Sequence, residues 1–235
     1  YSQALYHQLF SIGLPFKDYA VAEEAISKAI KIDAKNSLAY PLMAQIKRNM
    51  MGNASLDFEE ITRKGLELDP ENYETIIQVA HNLVFISKFS EAITLYKNAL
   101  KIAPYGPLPV RLFLLKTYSE SGDYSVTEEL AKELIMQEET HKKFWGTAFY
   151  ASILYEKNKI KVGKEILNDY LTQNDISFKE FVDEIWLSPF TGTITGDFDP
   201  IIDDVVYNLK MTYDPSLIDK SEEEGKNWTG SSQKD

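Results

Sequence analysis

Apolar residues recur along this chain in stripes of helical spacing, and three of the stripes close on nearly the same phrase. It reads Ile30-Lys31-Ile32-Asp33-Ala34-Lys35-Asn36, then Leu66-Glu67-Leu68-Asp69-Pro70-Glu71-Asn72, then Leu100-Lys101-Ile102-Ala103-Pro104. Pro70 and Pro104 stand 34 residues apart and the first two phrases 36 apart, a period that predicts a stack of helix pairs. In residues 73–104 the first helix carries Ile76, Val79, Ala80 and Leu83 on one face. The second carries Ala92, Ile93, Tyr96, Ala99 and Leu100, with Ser87-Lys88-Phe89-Ser90 as the turn between them. Small residues let two antiparallel helices approach closely, and the large ones fill the space between neighbouring pairs. One pair cannot bury both of its faces, so the pairs must stack.

The pattern in residues 73–104 resembles the tetratricopeptide repeat, whose unit has a small residue in each helix, a large one four after the second-helix alanine, and a closing proline. The same positions hold Tyr6, Leu9, Ala22, Ile26, Ala29 and Ile30 in a first copy, and Tyr40, Met43 and Ala44 in a second. That second copy departs from the pattern: Phe58 replaces an alanine, Gly65 takes the later small position, and residues 51–55 lengthen the turn. A fourth copy runs from Pro107 through Gly122-Asp123-Tyr124 to Thr127, Ala131, Leu134 and Ile135. A degenerate fifth keeps Trp145, Ala148, Phe149, Ile153, Ile166 and Leu167. The resemblance implies an all-α, right-handed solenoid of about five helix pairs over 1–172.

Beyond it the repeat phase is lost, yet two more helices are legible. Ser177 with Glu180 forms a capping box before the stripe of Phe178, Phe181, Val182, Ile185 and Trp186. Asp199-Pro200 opens a second stripe through Ile201, Ile202, Val205, Val206 and Leu209. These helices, within 173–213, are expected to cap the apolar end of the stack, and 214–235 to form an acidic, flexible tail.

Charge and composition narrow the chemistry. The net charge of −11 is uneven: residues 1–175 carry 20 basic and 23 acidic side chains, whereas 176–235 carry 5 and 13. No basic run exceeds pairs such as Lys47-Arg48, so a nucleic acid is not expected as a partner. The absence of cysteine excludes disulfides, thiolate metal sites and cysteine nucleophiles, and suits a cytoplasm and a bacterial periplasm equally. No apolar run reaches the ~18–20 residues of a membrane helix. The start at Tyr1 reads as a piece of a larger protein.

His7, His81 and His141 lie far apart, and no Walker loop, dinucleotide fingerprint or nucleophile elbow occurs. Thr191–Gly196 lacks the residues of a phosphate cradle, and Asp197, Asp199, Asp203 and Asp204 lack the spacing of a calcium loop. Asn53-Ala54-Ser55 and Asn227-Trp228-Thr229 fit the glycosylation triplet, which chance supplies in a chain this long. Carboxylate pairs such as Glu23-Glu24, Glu59-Glu60 and Glu128-Glu129 read as solvated faces of second helices. A non-enzyme with no cofactor is the expectation.

The resemblance implies that the working surface is the concave face lined by the first helices. Carried over position by position, it includes His7, Gln45, Arg48, Glu74, His81, Arg111 and Tyr118. Arg48 and Arg111 have the fork geometry to grip a peptide carboxylate, and Tyr118 offers rigid contact area; pairing of the arginines with acids such as Glu74 is the plainer alternative. The family's clamp for chaperone C-termini is absent, since His7, Ser11, Pro41, Gln45, Ile77 and His81 stand where its Lys, Asn and Arg would be. The expected function is a protein-interaction scaffold that holds a partner peptide or helix. A small-ligand sensor of a bacterial signalling or transcription regulator, and self-association through the C-terminal helices, stand as alternatives.

Overall fold

The computed structural model describes residues 19–51, 54–104, 108–187 and 198–217. All regular structure among them is helical. The chain forms two compact units, residues 1–127 and 128–235.

In the first unit the helices are α1 (Tyr19–Ile32), α2 (Ala39–Met51), α3 (Phe58–Leu68), α4 (Tyr73–Phe85), α5 (Phe89–Ile102) and α6 (Leu108–Ser121). Each packs against the next, and α2 also reaches α4, so first helices of successive copies touch. The third copy shows why. Ile76, Val79, Ala80 and Leu83 of α4 and Ala92, Tyr96 and Ala99 of α5 are all buried, as their spacing predicts. Burying an Ile, Val or Leu side chain contributes about 1.5–3 kcal/mol, and alanines on the facing stripe let the backbones close to collect it. Gly65 does the same for the second copy. A Cβ there would lie 2.7 Å from the Ser37 carbonyl oxygen, 2.9 Å from Pro41 Cδ and 2.9 Å from Thr75 Cγ2, so only glycine fits. Phe58 fills the alanine position of that copy and is buried.

The turn inside each pair is built the same way in three copies. After α4, Ser87 adopts φ 59°, its N–H donates to Val84 O (2.9 Å), and the Lys88 N–H donates to Leu83 O (2.9 Å). Gly122 (φ 86°) ends α6 likewise, with Gly122 and Asp123 donating to Ser119 O and Tyr118 O. The left-handed residue reverses the chain while satisfying carbonyls that the helix end would leave open. Phe89 and Ser90, expected in the turn, already belong to α5, and Asn72 caps α4 by accepting from the Thr75 N–H (2.9 Å).

The division between units falls inside α7 (Tyr124–Ile135). The second unit continues with α8 (Thr140–Glu156), α9 (Ile160–Asn174), α10 (Phe178–Leu187), α11 (Phe198–Tyr213) and a 3₁₀ turn, Pro215–Leu217. Asn158 (φ 57°) supplies the left-handed turn residue between α8 and α9. α8 lies against both α9 and α11, and α11 touches α9 and α10. The capping box is formed: the Glu180 N–H donates to Ser177 Oγ (3.2 Å) and the Ser177 N–H to Glu180 Oε2 (2.7 Å). Phe181 then enters an aromatic cluster with Phe144 (4.7 Å) and Tyr170 (5.3 Å). On α11, Asn208 Nδ2 donates to Ser152 Oγ (2.9 Å) and Glu156 Oε1 (3.2 Å), and Phe178 stacks on Tyr213 (4.4 Å). Thr191–Gly196, Asp197, Asn53 and the tail from 218 lie outside the described residues, as do the side chains of His141 and Trp186. No helix among the described residues is long and apolar enough to cross a membrane.

Candidate protein-interaction surface

The first helices α2, α4 and α6 carry six of the seven residues expected on the concave face; His7 lies outside the described residues. They do not all face the same way. Gln45 is fully buried where α2 meets α4, and its Oε1 accepts from Gln78 Nε2 at 2.6 Å. Beside it Asn82 Nδ2 donates to Pro41 O (2.9 Å) and Thr62 Oγ1 (3.1 Å). Buried amides seek hydrogen-bond partners, and these bonds tie α2, α3 and α4 together. Tyr118 is buried too, with Lys97 Nζ of α5 5.4 Å from its ring centroid, so its ring looks toward the preceding second helix. Gln45 and Tyr118 therefore sit inside the packing rather than on its surface.

The other four remain at least partly accessible. His81 is half-buried with its ring edge-on to Phe113 of α6 (4.0 Å) and 5.7 Å from Tyr96 of α5, which joins three helices in one aromatic contact. Glu74 is exposed at the start of α4. Arg111 Nη2 donates to Pro104 O (2.7 Å) near the Tyr73 phenol, whose pKa is raised by burial and pulled the other way by the arginine. Arg48 lies over the Phe85 ring, 4.4 Å from its centroid, with Nε and Nη2 held by Asn49 Oδ1 at 3.0 and 2.7 Å. Glu74 and Phe85 are separated along α4 by ~16 Å at 1.5 Å per residue. The structure thus places Arg48 toward one end of the first-helix face and Glu74 toward the other.

Three residues at the Arg48 end were not anticipated. Met50, Met51 and Phe85 are 44%, 57% and 47% exposed. Their signal in the sequence is position: apolar side chains just before a turn, off the buried stripe of their own helix.

The second helices look different. Glu59, expected on a solvated face, is half-buried and accepts from both Lys88 Nζ (2.6 Å) and Arg63 Nε (2.8 Å), while Arg63 Nη2 reaches Glu91 (2.7 Å). Those bonds, Lys88's first, hold the Glu59 carboxyl below its ordinary value. This chain of charges spans α3 and α5 and leaves its members committed to each other. Among the described residues no three His, Asp or Glu side chains gather as a metal site.

No protein-family model matches the sequence, and no curated protein matches it. Solved structures do match. The chain is similar to PilW, described as a widely conserved type IV pilus biogenesis factor, at 17% identity and TM-score 0.58, over 95% of this chain and 97% of that one. A second match is YrrB, described as a TPR protein with an unusual peptide-binding site, at 12% identity and TM-score 0.48, over 88% of this chain and all of the other. With the phased stripes, the close approach at Gly65 and the repeated left-handed turns, the likeness to PilW shows a fold of antiparallel helix pairs packed in series, the architecture that the tetratricopeptide resemblance implies.

Proposed function

We propose that this chain is a non-catalytic protein-interaction scaffold whose first-helix face, across α2, α4 and α6, receives an extended segment or a helix of a partner protein. The observation that supports this most is that successive first helices meet side by side, α2 against α4 and α4 against α6 where His81 meets Phe113, and that this row carries a half-exposed Phe85 and an exposed Glu74. In the same reading α10 and α11 are capping helices of the second unit, with Asn208 fixing α11 to α8.

The test is amide hydrogen exchange of the full chain with peptides selected from a random phage-displayed library, alongside an Arg48→Glu/Arg111→Glu double variant. Slowed exchange in 39–51, 73–85 and 108–121, lost in the double variant whose helicity is unchanged, is the expected result. Protection confined to the second helices would overturn the groove reading. Selection of no peptide, together with a thermal shift on adding small metabolites, would replace it with a ligand sensor.

A further inference from the structure

One stripe of α4 stays accessible: Glu74, Ile77, His81 and Val84 follow each other at three and four residues, and none of them is fully buried. The matching stripe of α8 is fixed by the turns that follow the two helices. After α4, Ser87 N–H donates to Val84 O and Lys88 N–H to Leu83 O; after α8, Asn158 N–H donates to Tyr155 O and Lys159 N–H to Leu154 O. Laying Asn158 on Ser87 puts Trp145, Ala148, Ser152 and Tyr155 at the places of Glu74, Ile77, His81 and Val84. Here the stripe is shut: Trp145, Ala148 and Ser152 are buried, as is every residue of α8 from 144 to 154.

α11 covers the C-terminal half of that stripe. Its Asn208 Nδ2 donates to Ser152 Oγ (2.9 Å) and Glu156 Oε1 (3.2 Å), and burial together with the neighbouring Tyr207 of α11 raises the Tyr155 pKa. Val205, Asn208, Leu209 and Thr212 are buried and share one face of α11. The two sides of α8 differ in chemistry. Toward α9, Ala151 and Leu154 close on Gly163. Toward α11, an amide, a hydroxyl and a carboxylate meet among the aliphatic residues. Polar groups regain hydrogen bonds from water on release and apolar ones do not, so the α11 side opens at the lower cost.

Resting on the reading of the first helices as a binding face, we infer that α11 is the chain's own occupant of that face in the second unit, an autoinhibitory helix that an amphipathic helix of a partner protein replaces. The replacing helix presents aliphatic residues one turn apart with an amide between them, the arrangement of Val205, Asn208 and Leu209. Being tethered, α11 competes at high effective concentration, so a free helix of the same pattern binds the intact chain weakly. Loosening α11 removes that competition.

The probe is a fluorescently labelled synthetic peptide of residues 198–213, added to the full chain. Leu209→Asp in the chain drives a charge into the seam and should free α11, after which the peptide should bind about tenfold or more tightly than to the wild type. Amide exchange in 140–156 should slow when it binds, with 160–174 protected throughout. Asn208→Asp, which sets a second carboxylate against Glu156, is the milder variant and should raise the affinity by less. A peptide that itself carries Leu209→Asp should bind neither chain. Loss of protection in both α8 and α9 in the two variants alike would make α11 part of the core and overturn the inference. So would a variant with α8 and α9 intact that binds the peptide no better than the wild type does. Neither outcome bears on the first unit, whose binding is read from the amides of 39–51, 73–85 and 108–121.

Discussion

Gly65 shows how much a single residue decides here. Its missing side chain lets α3 sit against the carbonyl of Ser37, Pro41 and Thr75, all within 2.9 Å of where a Cβ would be. Gly65→Ala should therefore destabilise the fold by about 1–3 kcal/mol through overpacking, read as a fall in the urea midpoint. Gly163 in α9 is the internal control. A Cβ there would meet Ala151 O, Leu154 Cβ and Thr212 Cγ2 at 3.4–3.5 Å, ordinary contact. Gly163→Ala should be neutral or stabilise by up to about 1 kcal/mol, the helix propensity difference. Equal losses at both sites would contradict the packing described. The small position at Gly65 was legible in the sequence, because it falls one repeat from Ala99. The polar core beside it was not: Gln45 was expected on the concave face, and only the approach of α2 to α4 buries it against Gln78, with Asn82 bonded to Pro41 O nearby. Tyr118 was misplaced for the same reason, since spacing assigns a residue to a helix face but not to the neighbour its ring meets.

Among the elements, the three reversals at Ser87, Gly122 and Asn158 share one hydrogen-bond pattern but only one uses glycine. A non-glycine residue in the left-handed region costs roughly 1–2 kcal/mol, so Ser87→Gly should stabilise the first unit by a part of that and Gly122→Ala should destabilise it by about 1–2 kcal/mol. Thermal unfolding followed by circular dichroism measures both, and a loss from Ser87→Gly would mean that its hydroxyl is needed there. Helix existence and phase were readable among the described residues because the stripe and its stop phrase repeat: Ile76, Val79, Ala80, Leu83, Ala92, Tyr96 and Ala99 are buried as the spacing requires, while Ile93 and Leu100 are only partly so. The Ser177–Glu180 box was readable because capping is local chemistry. The extent of α11's hold on α8 was not, since it depends on Asn208 finding Ser152 across 56 residues of chain.

Over the whole molecule, charge sets the pH range of stability. Glu24, Glu59, Glu128 and Glu180 all have carboxyl pKa values lowered by hydrogen bonds, from Lys28, Lys88, Lys132 and Ser177 respectively. A lowered folded-state value means stability present above the unfolded value, about 4.3 for Glu, and lost as pH falls through the folded one. The Tm should therefore drop below about pH 4, and modestly, because these pairs lie at the surface where solvent and salt screen them. Tyrosine works in the opposite sense. Burial, with the Glu128 and Glu184 charges adding to it, pushes Tyr150 and Tyr170 up to about 12 from 10.0. Stability should hold below pH 10 and fall as pH rises toward about 12, with tyrosinate absorbance of these two residues appearing at unfolding rather than at the ordinary phenol pKa. A tyrosinate signal near pH 10 from Tyr150 or Tyr170 in the folded protein, read as the difference from Tyr150→Phe and Tyr170→Phe variants, would refute their burial. What the sequence determined by itself is the repeat: helix number, phase and stop signals are local and periodic, so each copy states them again. What only the tertiary structure decided is which polar residues remain accessible. That depends on how closely neighbouring helices approach, and the approach buries Gln45 and Tyr118, commits Glu59 to Lys88 and Arg63, and leaves Arg48 lying over a half-exposed Phe85.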